Sequence, residues 1–180
     1  MTSGRPLCAE APASIAQAIS PDVEAQILAL NNAHAIELSL LQPARLSTLV
    51  DGAFYARRIG AAEAFLLAFD QDADYDSPNY LWFRERLARF VYIDRIAVAA
   101  EARGRGYARQ LYADLIARAE AAGHDQVVCE VNAQPPNPAS DAFHAALGFV
   151  AVGRAEIHGG SKTVRYLTLA IHPAGPEVTP

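Results

Sequence analysis

The sequence predicts a mixed α/β (α+β) domain, with a mostly antiparallel central sheet and helices on both of its faces. The segments run in the order helices, strands, then strand–helix–strand–helix–strand–strand. The inner strand–helix–strand implies a right-handed crossover between parallel strands. Short turns toward both ends imply hairpins, hence antiparallel pairs. The 180 residues are 52% hydrophobic and 19% charged, enough for one buried core and too apolar for a disordered chain.

Residues 1–20 are rich in Ala, Ser and Pro and read as a loose arm, with a short strand at its end as one option. Ser20-Pro21-Asp22 is a helix start, and Val23, Ile27, Leu28 and Leu30 carry that helix to about Ile36. Gln42-Pro43 opens a second, short helix bearing Leu46, Leu49 and Val50, which stops near Asp51-Gly52. Residues 53–59 and 62–70 read as two strands joined at Gly60. The aspartate-rich stretch 70–80 reads as a loop, and Leu81–Leu87 as one or two helical turns. Phe90–Val98 is the strongest strand. Gly106–Gly123 follows as a helix with Leu111, Leu115, Ile116 and Ala119 inward. Gln126–Val131 is a buried strand, and Pro135-Pro136-Asn137-Pro138 breaks the chain. Ala139–Leu147 is a short helix stopped by Gly148. Phe149–Ile157 and Thr163–Ile171 are strands around Gly159-Gly160, and 173–180 is a tail. One domain therefore spans 21–172.

Fifteen basic against twenty acidic residues give a net charge of −5, which argues against a dedicated nucleic-acid binder. Lys162 is the single lysine. Cys8 and Cys129 form neither a disulfide framework nor a zinc spacing, so a reducing cytoplasm is expected and no metal site. No apolar run reaches a membrane span, and Met1–Pro12 lacks the layout of a secretory signal.

The chemistry concentrates in Ile96-Ala97-Val98-Ala99-Ala100-Glu101-Ala102-Arg103-Gly104-Arg105-Gly106-Tyr107-Ala108-Arg109, where a strand runs through a glycine turn into a helix. Glycines let the backbone N–H groups of such a turn point one way, the helix N-terminus adds partial positive charge, and arginines add formal charge. That suits a pyrophosphate. A P-loop would need Gly-Lys-Ser/Thr, which is missing here. A dinucleotide turn would need a small residue where Arg109 stands, although Glu130 lies where that fold keeps a ribose-binding acid.

Arg103-Gly104-Arg105-Gly106-Tyr107-Ala108 resembles the acetyl-CoA-binding motif of the GNAT N-acetyltransferases, Arg/Gln-x-x-Gly-x-Gly/Ala. Asn137–Phe149, with Phe143-His144-Ala145-Ala146-Leu147-Gly148-Phe149, resembles the second signature of that family. The match is close over 90–150, and the element order agrees over 22–171. Tyr75–Asn79 and Tyr92–Arg95 are similar to a bacterial subgroup of acetyltransferases.

The resemblance implies a GNAT-like mixed sheet and acetyl-CoA as cofactor, with a small-molecule or peptide amine as acceptor. It assigns the pyrophosphate to the backbone of Arg103, Gly104, Arg105, Gly106, Tyr107 and Ala108. The pantetheine arm falls to the backbone of Ile96, Ala97 and Val98, with the Val98 amide donating to the thioester oxygen. Asn132, Asn137, Ser140 and Phe143 are further cofactor contacts, and Asn137 and Ser140 also suit helix capping. Many relatives carry a tyrosine four residues before the signature glycine, as the acid for the leaving thiolate. Here His144 stands there, either as that acid or as a packed residue.

For the amine's proton, Asp94 is the candidate base, with Tyr92 on its strand and Glu130 on the neighbouring one. Strict alternation puts Tyr92, Asp94, Ile96 and Val98 on one face unless a bulge intervenes, and a salt bridge is the other role for Asp94. Asp70, Asp72, Asp74 and Asp76 could attract a cationic acceptor, and Tyr75, Tyr80, Trp82 and Phe83 could wall its pocket. The expected function is acetyl transfer to an amine. The alternatives are a non-catalytic acyl-CoA-binding module and a nucleotide-binding regulatory domain. The last two strands offer a surface for a homodimer.

Overall fold

The computed structural model describes residues 10–15, 20–160 and 162–171. Most of the N-terminal arm, Cys8 and the tail 173–180 lie outside them. The strands are β1 (Ala13–Ser14), β2 (Tyr55–Ile59), β3 (Ala64–Asp70), β4 (Phe90–Val98), β5 (Gln126–Gln134), β6 (Val150–Ile157) and β7 (Lys162–Ala170). The helices are α1 (Pro21–Ala33), α2 (Ala35–Leu38), α3 (Pro43–Asp51), α4 (Pro78–Arg84), α5 (Tyr107–Ala121) and α6 (Pro138–Ala146). One sheet has the order β1-β2-β3-β4-β5-β7-β6. Among the described residues only the β4–β5 pair is parallel, as the crossover through α5 requires.

The sheet separates two cores. On one face Ile27 of α1, Leu46 and Leu49 of α3 and Tyr80 and Phe83 of α4 pack on Phe65, Leu67, Tyr92, Val128 and Tyr166. On the other, Leu111, Tyr112, Leu115 and Ala119 of α5 pack on Leu66, Val91, Ile93, Val127 and Cys129. Full burial of a leucine contributes about 2 kcal/mol, so the α5 stripe alone fixes that helix to the sheet.

Local chemistry explains where elements begin and end. Ser20 caps α1 by accepting from the Val23 N–H, and Pro21 supplies its first turn. The first helix does not continue to Ile36 as expected. Asn31 donates to the Ser39 carbonyl, while Asn32 donates to the Leu41 carbonyl and accepts from the Leu41 N–H. These two amides draw the chain back, so α1 ends at Ala33, α2 is a single turn, and Ser39 takes φ 66°. α4 starts at Pro78 rather than Leu81, because a proline is favoured in the first turn of a helix. Trp82 stacks on Tyr166 with ring centroids 4.2 Å apart. A Cβ at Gly153 would lie 2.6 Å from that indole, which is why the strand carries glycine there.

Candidate active site

β4 and β5 pair only through Phe90–Tyr92 and Gln126–Val128, then part. The gap is a cavity of about 480 Å³ between Ile93–Val98 on one side and Cys129–Asn132 on the other. The Ala99 N–H donates to the Glu63 carbonyl at 2.8 Å, so in this antiparallel ladder alternate residues of β4 turn their N–H and C=O toward β3. Ile96 and Val98 are the intervening residues, and their backbone groups face the cavity. Ala97 departs from the expectation: it borders the cavity, but by the same alternation its N–H and C=O are turned to β3.

Arg103 and Ala108 line the same cavity at the head of α5. Gly104 and Gly106 take φ 77° and 82°, and a Cβ at either would meet nothing within 4 Å. Glycine is therefore needed for the turn's conformation, and the space beside it is open. The first helical bond of α5 runs from the Gln110 N–H to the Gly106 carbonyl, which leaves the N–H groups of Tyr107, Ala108 and Arg109 as unspent donors. Arg105 projects outward and lies 3.9 Å from Glu63, a surface pair of small energetic weight.

Asn132, Asn137, Ser140, Phe143 and His144 form the opposite wall. The Asn137 side chain accepts from the Ser140 N–H at 3.1 Å and so caps α6. His144 is buried, with the rings of Phe143 and Phe149 edge-on to its imidazole. Its Nδ1 lies 2.8 Å from the Ser140 carbonyl oxygen, which can only accept, so Nδ1 carries the proton. Nε2 then accepts from the Tyr112 hydroxyl at 2.8 Å. Burial holds the imidazole below its ordinary pKa and the Tyr112 phenol well above its own. Neutral His144 thus has no free proton of its own, and the hydroxyl beside it belongs to the cavity wall as well.

Asp94 is the extra residue of a bulge in β4, since Leu67 pairs with Arg95 and Ala68 with Ile93. The bulge resets the alternation, so Tyr92, Arg95 and Ala97 face the α1 side and Ile93, Ile96 and Val98 face α5. This corrects the single face expected for Tyr92, Asp94, Ile96 and Val98. Asp94 accepts from Tyr75 Oη at 2.6 Å and from Arg95 Nε at 2.6 Å, and both members of the ion pair are buried. Arg95 also donates to Asn31 at 2.9 Å. Both Asp94 oxygens are thus engaged in a buried network tying α1 to β4.

Glu130 is placed differently. Its oxygens accept from Tyr92 Oη at 2.8 Å and Asn79 Nδ2 at 2.9 Å, and Asn79 accepts from Tyr166 Oη at 3.1 Å. One edge of the residue stays open to the cavity. Burial pushes its carboxyl up to about 7, despite the hydrogen bonds from Tyr92 and Asn79 that pull the other way.

A second cavity, of about 420 Å³, lies under α2 and the following loop. Leu38–Leu41, Ser77–Asn79, Ile157 and Lys162 border it. Glu37, Leu38, Asp94, Arg95 and Glu130 border both cavities, so the two adjoin at Glu130. Of the expected pocket aromatics only Tyr75 borders this space. Tyr80 is buried and donates to the Asp70 and Ala73 carbonyls, and Trp82 and Phe83 pin α4 to the sheet. The four loop aspartates border neither cavity, and Asp76 pairs with Arg45 at 3.4 Å. Sequence reasoning missed Tyr112, Asn79 and the α2 wall. Tyr112 was detectable, since it falls between Ala108 and Leu115 on the apolar stripe of α5.

The profile of the acetyltransferase (GNAT) family matches residues 51–149. No curated protein matches the chain. Among solved structures, the chain is similar to the ribosomal-protein-S18-alanine N-acetyltransferase from Escherichia coli, at 16% identity over 93% of this chain and 97% of that one, with a TM-score of 0.64. It is also similar to Chaetomium thermophilum Naa20 in complex with a bisubstrate analogue, at 18% identity over 84% of each chain and a TM-score of 0.66. The NatC complex bound to Gag peptide and CoA gives 16% identity over 84% of this chain and 92% of that one, at a TM-score of 0.62. The parted strands, the free strand edge and the unspent amides at an open glycine turn fit a long cofactor that carries a pyrophosphate. The chain belongs to the acetyltransferase (GNAT) family, whose acetyl donor is acetyl-CoA.

Proposed function

We propose that the chain is an N-acetyltransferase in which a primary amine attacks acetyl-CoA directly in a ternary complex. The observation that carries this reading is Glu130, a carboxyl near 7 at the meeting point of two cavities. One cavity suits the cofactor and the other the amine. When bound, acetyl-CoA supplies the activated acetyl thioester. The N–H groups of the Gly104–Ala108 turn and Arg103 hold the pyrophosphate. The edges of Ile96 and Val98 hold the pantetheine arm as an added strand, with Asn132, Asn137, Ser140 and Phe143 opposite. The Val98 N–H meets the negative charge that develops on the thioester oxygen.

Glu130 takes the proton of the attacking amine, and its elevated pKa suits that task near neutrality. Asp94 is left to structure, because its carboxylate is held in a buried ion pair with Arg95, whereas Glu130 has only neutral hydrogen-bond donors. On the thiol side we assign proton supply to the Tyr112–His144 pair as a unit: the phenol holds the proton and the imidazole holds the phenol. The E. coli protein is named for a protein alanine, and NatC was solved with a peptide. A peptide N-terminus therefore heads the acceptors to try, followed by small amines. On this reading the protein works in the cytoplasm, and the edge strand β6, with Val150 and Val152 exposed, is where a second copy would pair.

The test is release of coenzyme A thiol from acetyl-CoA in the presence of peptide and small-molecule amines. Turnover that falls at least about a hundredfold in Glu130→Gln supports the reading. Binding of acetyl-CoA with no turnover on any amine would leave an acyl-CoA-binding module instead.

A further inference from the structure

Lys162, the single lysine of the chain, stands in the wall of the second cavity. It opens β7 opposite Ile157. Its Nζ donates to the Ile36 and Glu37 carbonyls at 3.3 and 3.2 Å, which holds the amine at the rim under α2. Strand register puts it on the same face of the sheet as Glu130. Glu130 sits across from Tyr166, and Lys162 lies four positions before Tyr166, an even offset. That offset spans about 13 Å. Both side chains border the second cavity. The Glu130 charge acts on the amine, and burial holds the Lys162 pKa below the ordinary lysine value, so a larger share of it is neutral.

We propose that Lys162 is an acceptor for the chain's own activity: with no amine in the second cavity, the chain transfers one acetyl group from acetyl-CoA to Lys162. The proposal rests on the acetyltransferase reading above. An N–C bond forms between Nζ and the acetyl carbonyl carbon, and the C–S bond breaks with its electron pair passing to sulfur. Lys162 gives up two protons, one as ammonium becomes amine and one as the amide forms. One of them ends on sulfur as the coenzyme A thiol, and the other leaves through Glu130 to water. The acetylated side chain keeps a single N–H and no charge, so it can hold only one of the two α2 carbonyls. Modification therefore loosens the wall of the second cavity.

The test uses the full chain and isotopically labelled acetyl-CoA without added amine, read by intact mass and then by tryptic peptides. Acetylation at Lys162 blocks cleavage there and leaves Ala155–Arg165 as one labelled peptide. The expected result is one label per chain at Lys162, formed at a rate independent of protein concentration. Labelling is lost in Lys162→Arg and slowed at least about tenfold in Glu130→Gln. A label confined to the N-terminal amine, or no label in a chain that binds acetyl-CoA and acetylates added amines, overturns this proposal alone. A rate that rises with protein concentration overturns the intramolecular transfer. Failure to bind acetyl-CoA at all overturns the acetyltransferase reading, and this proposal with it.

Discussion

Replacing Glu130 by glutamine removes a carboxyl that the fold holds at about 7, against an ordinary 4.5. At about 1.4 kcal/mol per pH unit, that elevation corresponds to roughly 3 kcal/mol. The sign follows from proton binding. Between pH 4.5 and 7 the folded chain keeps the proton that the unfolded chain has lost, so this contribution is full at acid pH and disappears as pH rises through 7. Glutamine carries no such dependence. It does disturb the pair of donors, Tyr92 Oη and Asn79 Nδ2, because it offers one acceptor oxygen where the carboxyl group, protonated or not, offers two. That mismatch costs about 1 kcal/mol. Glu130→Gln is therefore expected to be more stable than the parent at pH 8 by about 2 kcal/mol, a Tm higher by roughly 4–8 °C for a chain of this size. At pH 4.5 it is less stable by about 1 kcal/mol, the donor mismatch alone. Thermal melts of both proteins at the two pH values read the difference, and other titrating groups cancel between them. A Tm difference of the same sign and size at both pH values would refute the argument.

In Gly106→Asp the φ of 82° strains the turn that presents the amides and the new negative charge repels the pyrophosphate, so acetyl-CoA binding should disappear while the circular dichroism of the fold is retained. Tyr112→Phe and His144→Phe should each lower kcat by about tenfold or more and leave the acetyl-CoA Kd nearly unchanged. The double variant should be no worse than either single one if the two act as a unit, as steady-state kinetics with calorimetry would show. Asp94→Ala should leave Arg95 buried without its partner and cost about 3–5 kcal/mol in denaturant unfolding. A loss of turnover without a loss of stability would instead return Asp94 to the reaction.

The sequence was most readable where signals are local. The β4 run, the glycine turn and the α5 stripe sit within a few residues of one another, and turn chemistry and periodicity place them correctly. Asn137 was recognisable as a cap because its partner is three residues away. What escaped depends on partners far along the chain. The bulge at Asp94 is one inserted residue with no signature of its own, and it reverses the facing of everything after it in β4. The Tyr112–His144 bond joins two helices 32 residues apart. The end of α1 is decided by Asn31 and Asn32 reaching eight and nine residues ahead, where a periodicity count sees only a helix continuing. Glu130 was legible as a carboxylate on the strand next to Asp94, but its place between two cavities follows only from the parting of β4 and β5.

The most direct test of the central claim is calorimetric titration of the full chain with acetyl-CoA, with NAD and ATP in parallel and Gly106→Asp as the control. The account predicts saturable binding of acetyl-CoA at one site per chain, none in the variant, and no comparable heat from NAD or ATP. Binding of NAD or ATP in preference to acetyl-CoA, or unchanged acetyl-CoA affinity in Gly106→Asp, would contradict the placement of the cofactor between β4 and β5.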